Sequence, residues 1–512
     1  MEIRRLIVCC DGTWDKRDQE HDGVPVPTNV FRIYNAIADN GDDGIRQLKF
    51  YRPGVGVERN IIKRELGGMV GLGLDSIIRR AYKWLCETYL TTGDKIYIFG
   101  FSRGAFLARS LSSMIGYCGL LVPDPNMDLW DQVKKAYDAG YRKKQPKNLW
   151  CAGNTRDDVK VHFLGVWDTV GALGIPDDRI ILKLFDNPKR YRFHNTQLGD
   201  HVNCARQALS LDDDRSSFAP TLWTDAKGNI VESGRVKQLW FPGEHGDVGG
   251  GRREKGLSDG ALLWMITEAE KYDLSFKKDM IKQIHPDFQD VAHRACVGIF
   301  KYLRTQPRNI PLIDEANVNI RIHESAFLRH MNPPIAQSPY RPTTLLKPGK
   351  SSKPIFIFAR EKWNSTGLYL ERDATYDFKA EGEWMDGWIK CDPAGVKKSN
   401  QSLAAKFFCF RTDVLARFNS LVVKRVLRNR NADFWGFTKR IDEYPLFSLV
   451  GVIANCGNPG IDGTPIPHQH FSIQTGCTFK IDKPGYLYCF ANDGWEKYGN
   501  NKGSVKLTVT RK

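Results

Sequence analysis

No Cys-x-x-Cys pair occurs in the 512 residues, although twelve cysteines run from Cys9 to Cys489. That absence argues against zinc ribbons and dithiol redox sites. Cys9, Cys10 and Cys489 sit inside apolar runs, where free thiols behave as small hydrophobes, so a reducing compartment is expected. No apolar run approaches the roughly 20 residues of a membrane-spanning helix. The segment from Met1 to Asp11 has too short an apolar core for a secretory signal and no small-residue cleavage site. It reads as a first buried strand. The expected location is the cytoplasm, or outside it after export by a route independent of a signal peptide. Acidic residues are in deficit, 59 against 75 basic ones, for a net charge of +16. The excess is spread along the chain with no helix-turn-helix, finger or RNA-binding signature, so no nucleic-acid partner is expected. Attraction to an anionic membrane surface stays open.

What the chain has is a packable composition, 41% hydrophobic and 11% aromatic, over a length that calls for two or three units. The first ~300 residues alternate apolar runs with amphipathic stretches, the pattern of a mostly parallel sheet flanked by helices. Strands are expected at Arg5–Cys10, Leu48–Arg52, Lys95–Phe99, Val159–Val166 and Val236–Phe241. Helices are expected at Ser76–Leu90 and Ala105–Met114. The glycine-rich stretch Gly54–Gly73 lacks the Gly-Lys-Ser/Thr of a phosphate loop and reads as a loop or lid. The polar segment Pro123–Asn154 reads as an insertion or cap. Residues 332–354, rich in proline and serine, mark a linker between a catalytic domain (1–331) and a β-sandwich domain (355–512). The second domain reads as all-β, interrupted by an insertion at about 391–445.

Gly100-Phe101-Ser102-Arg103-Gly104 carries the chemistry. An apolar strand precedes it, bare glycines flank the serine, and a helix follows, as a nucleophile elbow requires. The helix N-terminus adds partial positive charge and free N–H groups near a developing oxyanion. Chain order in this fold is serine, acid, histidine. Asp168, after the strand ending at Trp167, suits the acid, although it suits a turn cap as well. His245 lies in the glycine-framed loop Gly243–Gly251, which permits close approach to the serine. Arg103 supplies one oxyanion N–H, and Gly12 or Thr13, after the first strand, the second. Asp247 either holds the His245 loop through its backbone or faces solvent.

Four blocks in order resemble one family: Asp11–Trp14, Gly100–Ala105, Gly165–Val170 and Trp240–Gly251. It is the α/β-hydrolase family that includes type VI secretion phospholipase effectors and fungal relatives. Asp212-Asp213-Asp214-Arg215 with Phe218-Ala219-Pro220 is similar to a further block. The resemblance spans about residues 3–330. It implies a Ser102–Asp168–His245 triad and hydrolysis of a carboxylic ester, lipid or phospholipid in the secreted members, with no cofactor for catalysis.

The segment from Asn492 to Ser504 offers a carboxylate, two amides and turn carbonyls, an all-oxygen set suited to Ca²⁺. It is similar to the calcium loop of PA-I type galactophilic lectins. The resemblance implies Asp493, Asn500 and Asn501 as ligands, Lys497 through its carbonyl, and Asp386 from an opposing loop. Asp493 and Asn500 are also the positions through which a glycan would be held. The insertion replaces the loop that carries the lectins' sugar-specific residues, so sugar binding stays open beside calcium. Within the insertion, residues 406–430 set seven basic side chains beside an apolar helical stripe, suited either to an anionic membrane or to packing on the sandwich. Two functions therefore compete: an esterase or phospholipase with an accessory surface-binding module, and a non-catalytic carbohydrate-binding protein on a hydrolase scaffold.

Overall fold

The computed structural model describes residues 2–12, 20–21, 23–53, 70–151, 153–170, 197–296, 304–337, 339–396, 439–458 and 466–512. Most of the glycine-rich stretch (54–69), Thr13, the basic segment 406–430 and most of the insertion around it lie outside these residues.

Six strands build the first sheet: β1 (Arg4–Cys10), β2 (Arg46–Arg52), β3 (Lys95–Phe101), β4 (Val161–Trp167), β5 (Ala205–Ser210) and β6 (Val236–Phe241). Their order is β6-β5-β4-β3-β1-β2, and every pairing is parallel. Strand β3 lies inside the sheet with six of its seven residues buried, which is why it reads as a continuous apolar run. Side chains alternate between two cores. Leu6, Val8, Ile96 and Ile98 face α2 (Val70–Thr88) and α3 (Arg103–Cys118), packing with Ala81, Leu85, Leu111 and Ile115. Ile7, Cys9, Tyr97 and Phe99 face α1 (Asn29–Ala36) and α5 (Gly256–Glu270), packing with Val30, Ile33, Leu262 and Met265. A short helix α4 (His245–Gly249) precedes α5. The expected elements are all present, with boundaries shifted by a few residues.

Strand β5 has no counterpart in the sequence reading, because Arg206, Gln207 and Ser210 break its apolar run. Tertiary partners make burial of these groups tolerable: Arg206 pairs with Glu268, and Gln207 accepts from Thr169. The 123–154 segment packs into the first core through Val133, Tyr137, Tyr141 and Trp150.

The second domain is all-β. Its strands are β7 (Ile355–Phe358), β8 (Asn364–Leu370), β9 (Thr375–Glu381), β10 (Trp384–Asp386), β11 (Ile389–Cys391), β12 (Leu449–Ala454), β13 (Gln469–Ser472), β14 (Gly476–Lys480), β15 (Gly485–Ala491) and β16 (Asn501–Arg511). They form two antiparallel sheets, β11-β10-β16-β9-β14 with β7 also on β16, and β8-β15-β12-β13. Residues from both, including Phe378, Trp384, Phe447, Leu487 and Val505, fill the core between them.

The 332–354 segment, expected as a linker, is pinned to both domains. Tyr340 and Arg341 bond Asp212 at 2.8 and 2.9 Å, while the Gly349 and Ser352 N–H groups donate to Arg511 and Val509 in β16. A mixed core joins the two domains: Leu209, Leu211, Leu222, Trp240, Ile310 and Ile313 pack with Ala454, Tyr486 and Tyr488. No helix among the described residues is long and apolar enough to cross a membrane.

Candidate active site

Ser102 sits where β3 turns into α3, at φ 57° and ψ −123°. A non-glycine residue at positive φ outside the left-handed well costs about 1–3 kcal/mol and persists only where its surroundings impose it. Those surroundings are visible. A Cβ on Gly100 would stand 2.4 Å from the Gly104 carbonyl oxygen, and one on Gly104 would stand 2.2 Å from the Cys10 carbonyl oxygen. The two glycines let α3 start against β1 and β3, and the Ser102 N–H donates to the Trp167 carbonyl at 3.1 Å.

Asp168 follows β4, fully buried, at φ 35°. Its Oδ2 lies 2.6 Å from His245 Nδ1, and its Oδ1 accepts the Ser210 N–H at 3.1 Å. Arg308 spans both oxygens, Nη1 to Oδ1 at 2.7 Å and Nη2 to Oδ2 at 3.0 Å. Burial alone would raise this carboxyl, but the Arg308 charge and the His245 hydrogen bond outweigh it and hold Asp168 well below the usual carboxylate range.

His245 opens α4, a helix where the sequence suggested a loop. Glu244 caps it by accepting the Gly246 N–H, and Asp247 accepts the Glu244 N–H in return at 3.0 Å. Asp247 is buried and also receives the His293 N–H at 2.8 Å, so it is a capping group and not a solvent-facing one. A carboxylate only accepts, so the proton between the two groups belongs to Nδ1. Nε2 is buried with no hydrogen-bond partner among the described residues, Ser102 included. The ring stacks on Phe101 at 4.6 Å between centroids and meets Phe218 edge-on at 5.1 Å. Phe101 is the neighbour of Ser102 in the chain, so this contact brings the histidine to the elbow.

The remaining expected residues fall as follows. Arg103 begins α3, directly after Ser102. Gly12 ends the turn after β1, and its N–H donates to Asp11 Oδ1 at 2.8 Å. Burial pushes the Asp11 carboxyl up to about 6, against hydrogen bonds from Tyr51 and Thr28. Thr13 lies outside the described residues. In the second domain, Asn500 Nδ2 donates to Asp386 at 2.8 Å and Asn501 Nδ2 to Asp493 at 2.9 Å. The Lys497 carbonyl accepts the Asn500 N–H at 3.3 Å. These five positions thus form one cluster at the ends of β10 and β16, apart from the serine.

Sequence reasoning missed several groups that frame His245. Arg215 forms a buried pair with Asp213 at 2.5 Å and reaches Glu244 at 3.4 Å. Its guanidinium carbon stands 3.5 Å from the centre of the Phe218 ring. The block Asp212–Pro220 was visible as a motif, but its role as the wall behind the histidine needed coordinates. Arg308 had no signal, since Gln306-Pro307-Arg308 matches no pattern.

The parallel sheet, the strained serine turn and the Asp–His pair at the ends of two strands flanking β5 define an α/β-hydrolase domain. The family described as "T6SS, Phospholipase effector Tle1-like, catalytic domain" matches residues 4–268, over half the chain, and the chain belongs to it. An uncharacterized protein of Saccharomyces cerevisiae is 33% identical over 247 residues, covering 43% of this chain and 33% of that protein. The chain therefore matches about a third of the length of that curated relative. Among solved structures, the Tle1 effector bound to the VgrG spike of the type 6 secretion system covers 49% of this chain and 52% of its own, with 19% identity and a TM-score of 0.30. The EclA N-terminal domain, a PllA-like lectin, covers 32% of this chain and 95% of its own, with 15% identity and a TM-score of 0.18.

Proposed function

We propose that the protein is a serine ester hydrolase acting on a lipid or phospholipid through an acyl-enzyme on Ser102. The observation that carries the reading is the 2.6 Å contact between Asp168 and His245 Nδ1, set beside a serine held at a strained elbow. In this reading Ser102 Oγ attacks the acyl carbonyl and its proton passes to His245 Nε2. The oxyanion takes the Arg103 N–H at the start of α3. A second donor comes from the Gly12–Thr13 turn, once the Gly12 N–H leaves the Asp11 carboxylate. Collapse of the tetrahedral intermediate breaks the ester C–O bond, and the alcohol leaves with the proton from His245. Water then repeats the sequence and releases the acid. Asp168 keeps the imidazole in the tautomer that presents Nε2 as the base. The lipid substrate is taken from the family, and a hydrophobic acyl chain suits a histidine framed by Phe101 and Phe218.

The test compares the parent with Ser102→Ala on p-nitrophenyl esters and on phospholipid vesicles. A fall in kcat of roughly 10⁵-fold is expected. Equal rates would remove the catalytic reading and leave the non-catalytic, glycan-binding alternative.

For the second domain we propose a calcium- and glycan-binding module in the manner of the PA-I type lectins. Among the described residues no three His, Cys, Asp or Glu side chains converge as a metal site. A cation here would thus rest on Asp386, Asp493, amide oxygens and the Lys497 carbonyl, all hard oxygen donors suited to Ca²⁺. Two observations favour the fit. Asn501 Oδ1 is buried without a hydrogen-bond partner, and the Asp493 carboxyl is pushed up to about 6 by burial and by the neighbouring charge of Asp386. A bound divalent cation would relieve both.

A further inference from the structure

The segment that delivers Arg308 to the proposed triad is gripped from the second domain. Arg308 is buried, and besides both oxygens of Asp168 it bonds the Ser210 carbonyl at 2.7 Å and the Phe218 carbonyl at 2.8 Å. It therefore ties together the acid, the strand that supports the acid, and the residue whose ring faces His245. Nothing in its own segment holds it there by regular structure, since residues 306–312 belong to no helix or strand. On the hydrolase side the Gln306 N–H donates to the Asp214 carbonyl at 2.6 Å and the Arg304 carbonyl accepts the Ser216 N–H at 3.0 Å; a second grip comes from across the domain interface. His468 Nε2 lies 2.7 Å from the carbonyl of Pro307, the residue before Arg308. Trp363 Nε1 donates to the Thr305 carbonyl at 3.0 Å.

The histidine is itself fully determined. Its Nδ1 accepts the Cys456 N–H at 3.0 Å, so the proton must sit on Nε2, where a carbonyl can accept it. Both ring nitrogens are used and the residue is buried. His468 thus acts as a rigid spacer between β-module backbone at Cys456 and hydrolase backbone at Pro307. The chain on the far side of Arg308 is anchored too: the Ile313 N–H donates to the Tyr486 hydroxyl at 3.1 Å, and Ile310 and Ile313 enter the mixed core.

We infer that the β-module is a working part of the catalytic centre: His468, with Trp363, seats the 305–308 segment so that Arg308 holds Asp168 in line with His245. Arg308 and His468 are positioning residues, neither touching the substrate. The inference rests on the triad reading above. It also goes beyond an accessory binding role, because it makes hydrolysis itself depend on the second domain. The matched family region ends at residue 268, so the clamp is built entirely from chain beyond it.

The experiment uses the full chain with Arg308→Lys, Arg308→Met, His468→Gln and His468→Leu, measured for kcat and KM on a soluble p-nitrophenyl ester. Each preparation is titrated with a fluorophosphonate, so that rates refer to reactive serine only. Displacing a catalytic group by about 1 Å costs on the order of 10²-fold. Arg308→Met is therefore expected to lower kcat by about 10²-fold with KM nearly unchanged, and Arg308→Lys by less, since the charge stays and the fork is lost. His468→Leu is expected to lower kcat by about 10-fold, and His468→Gln, whose amide can still donate to the Pro307 carbonyl, to recover most of it. A merely structural role would lower the yield and melting temperature while leaving kcat per titrated serine unchanged, and that result overturns the inference. If the leucine variant does not fold, Trp363→Phe, which loses only the hydrogen bond to the Thr305 carbonyl, carries the decision: a severalfold lower kcat per titrated serine supports the clamp and an unchanged one overturns it. Ser102→Ala is run alongside: parental activity in that variant defeats the triad reading, whereas loss there with unchanged Arg308 and His468 variants defeats only the clamp.

Discussion

The Asp168 carboxylate meets His245 Nδ1 at 2.6 Å from a backbone held at φ 35°, while His245 Nε2 is left buried and without a hydrogen bond. One end of the imidazole is fixed and the other has no partner among the described residues. That asymmetry is what the proposed role of a general base requires, and several outcomes follow from it.

The elbow tolerates no side chain at Gly104. A Cβ there would lie 2.2 Å from the Cys10 carbonyl oxygen and 2.5 Å from that of Asp11, both backbone atoms that cannot swing away. Gly104→Ala should destabilise the hydrolase domain by about 3 kcal/mol, at the upper end of overpacking costs. It should also abolish fluorophosphonate labelling of Ser102. Urea unfolding and labelling kinetics measure the two effects separately, and wild-type labelling would show that the turn is not under this constraint.

Phe218 closes one side of the His245 ring at 5.1 Å and lies under the Arg215 guanidinium. It is only half-buried, so Phe218→Ala should cost little stability, about 1 kcal/mol. The freed imidazole should nonetheless lower kcat by roughly 10-fold, with Phe218→Leu in between. Steady-state kinetics on a short-chain ester decide this; an unchanged kcat would mean that Asp168 and Phe101 fix the ring without it.

Two histidines weaken the fold toward acid: His468 is buried and His323 half-buried, and loss of solvation lowers both to about 4. An unfolded histidine titrates near 6.5, so the unfolded chain binds protons first as pH falls. The histidine contribution to stability is therefore complete above about pH 6.5 and declines as pH drops toward 4, by at most about 3 kcal/mol per histidine. The raised carboxyls of Asp11 and Asp493 act in the opposite sense over the same range, so the histidine is read as a difference between two chains. Between pH 7 and 4.5, chemical denaturation of His468→Gln should lose about 3 kcal/mol less than the parent, and equal pH profiles for the two would contradict the burial.

The cluster proposed to hold calcium has the opposite pH sense. Burial and the charge of Asp386 raise Asp493 to about 6, above its unfolded value. The metal-free module is thus more stable when Asp493 is protonated, and it loses up to about 3 kcal/mol as pH rises from about 4 through 6. Ca²⁺ should restore this above pH 6 and do little at pH 4.5. Differential scanning fluorimetry of the full chain with and without Ca²⁺, beside Asp493→Asn, tests the pattern. No calcium-dependent shift at pH 7.5 would remove the metal from the reading.

Much of this was legible in the sequence, because the first domain's signals are local. A buried parallel strand must be an unbroken apolar run, and an elbow must have glycines on each side of its serine, so β3, Ser102 and α3 could be read in one pass. Asp168 and His245 followed from chain order and strand ends. Strand β5 was not readable, since its arginine and its one glutamine are tolerated only through Glu268, Thr169 and Gln238, which are distant in sequence. Nor could the sequence show that the 332–354 segment is pinned to both domains, because proline and serine content reports local flexibility and not tertiary partners. Arg308, which bonds both oxygens of Asp168, and His468, which bonds the residue before Arg308, are separated from Asp168 by 140 and 300 residues of chain. Local chemistry determined what the serine is; only long-range packing decided what holds its partners in place.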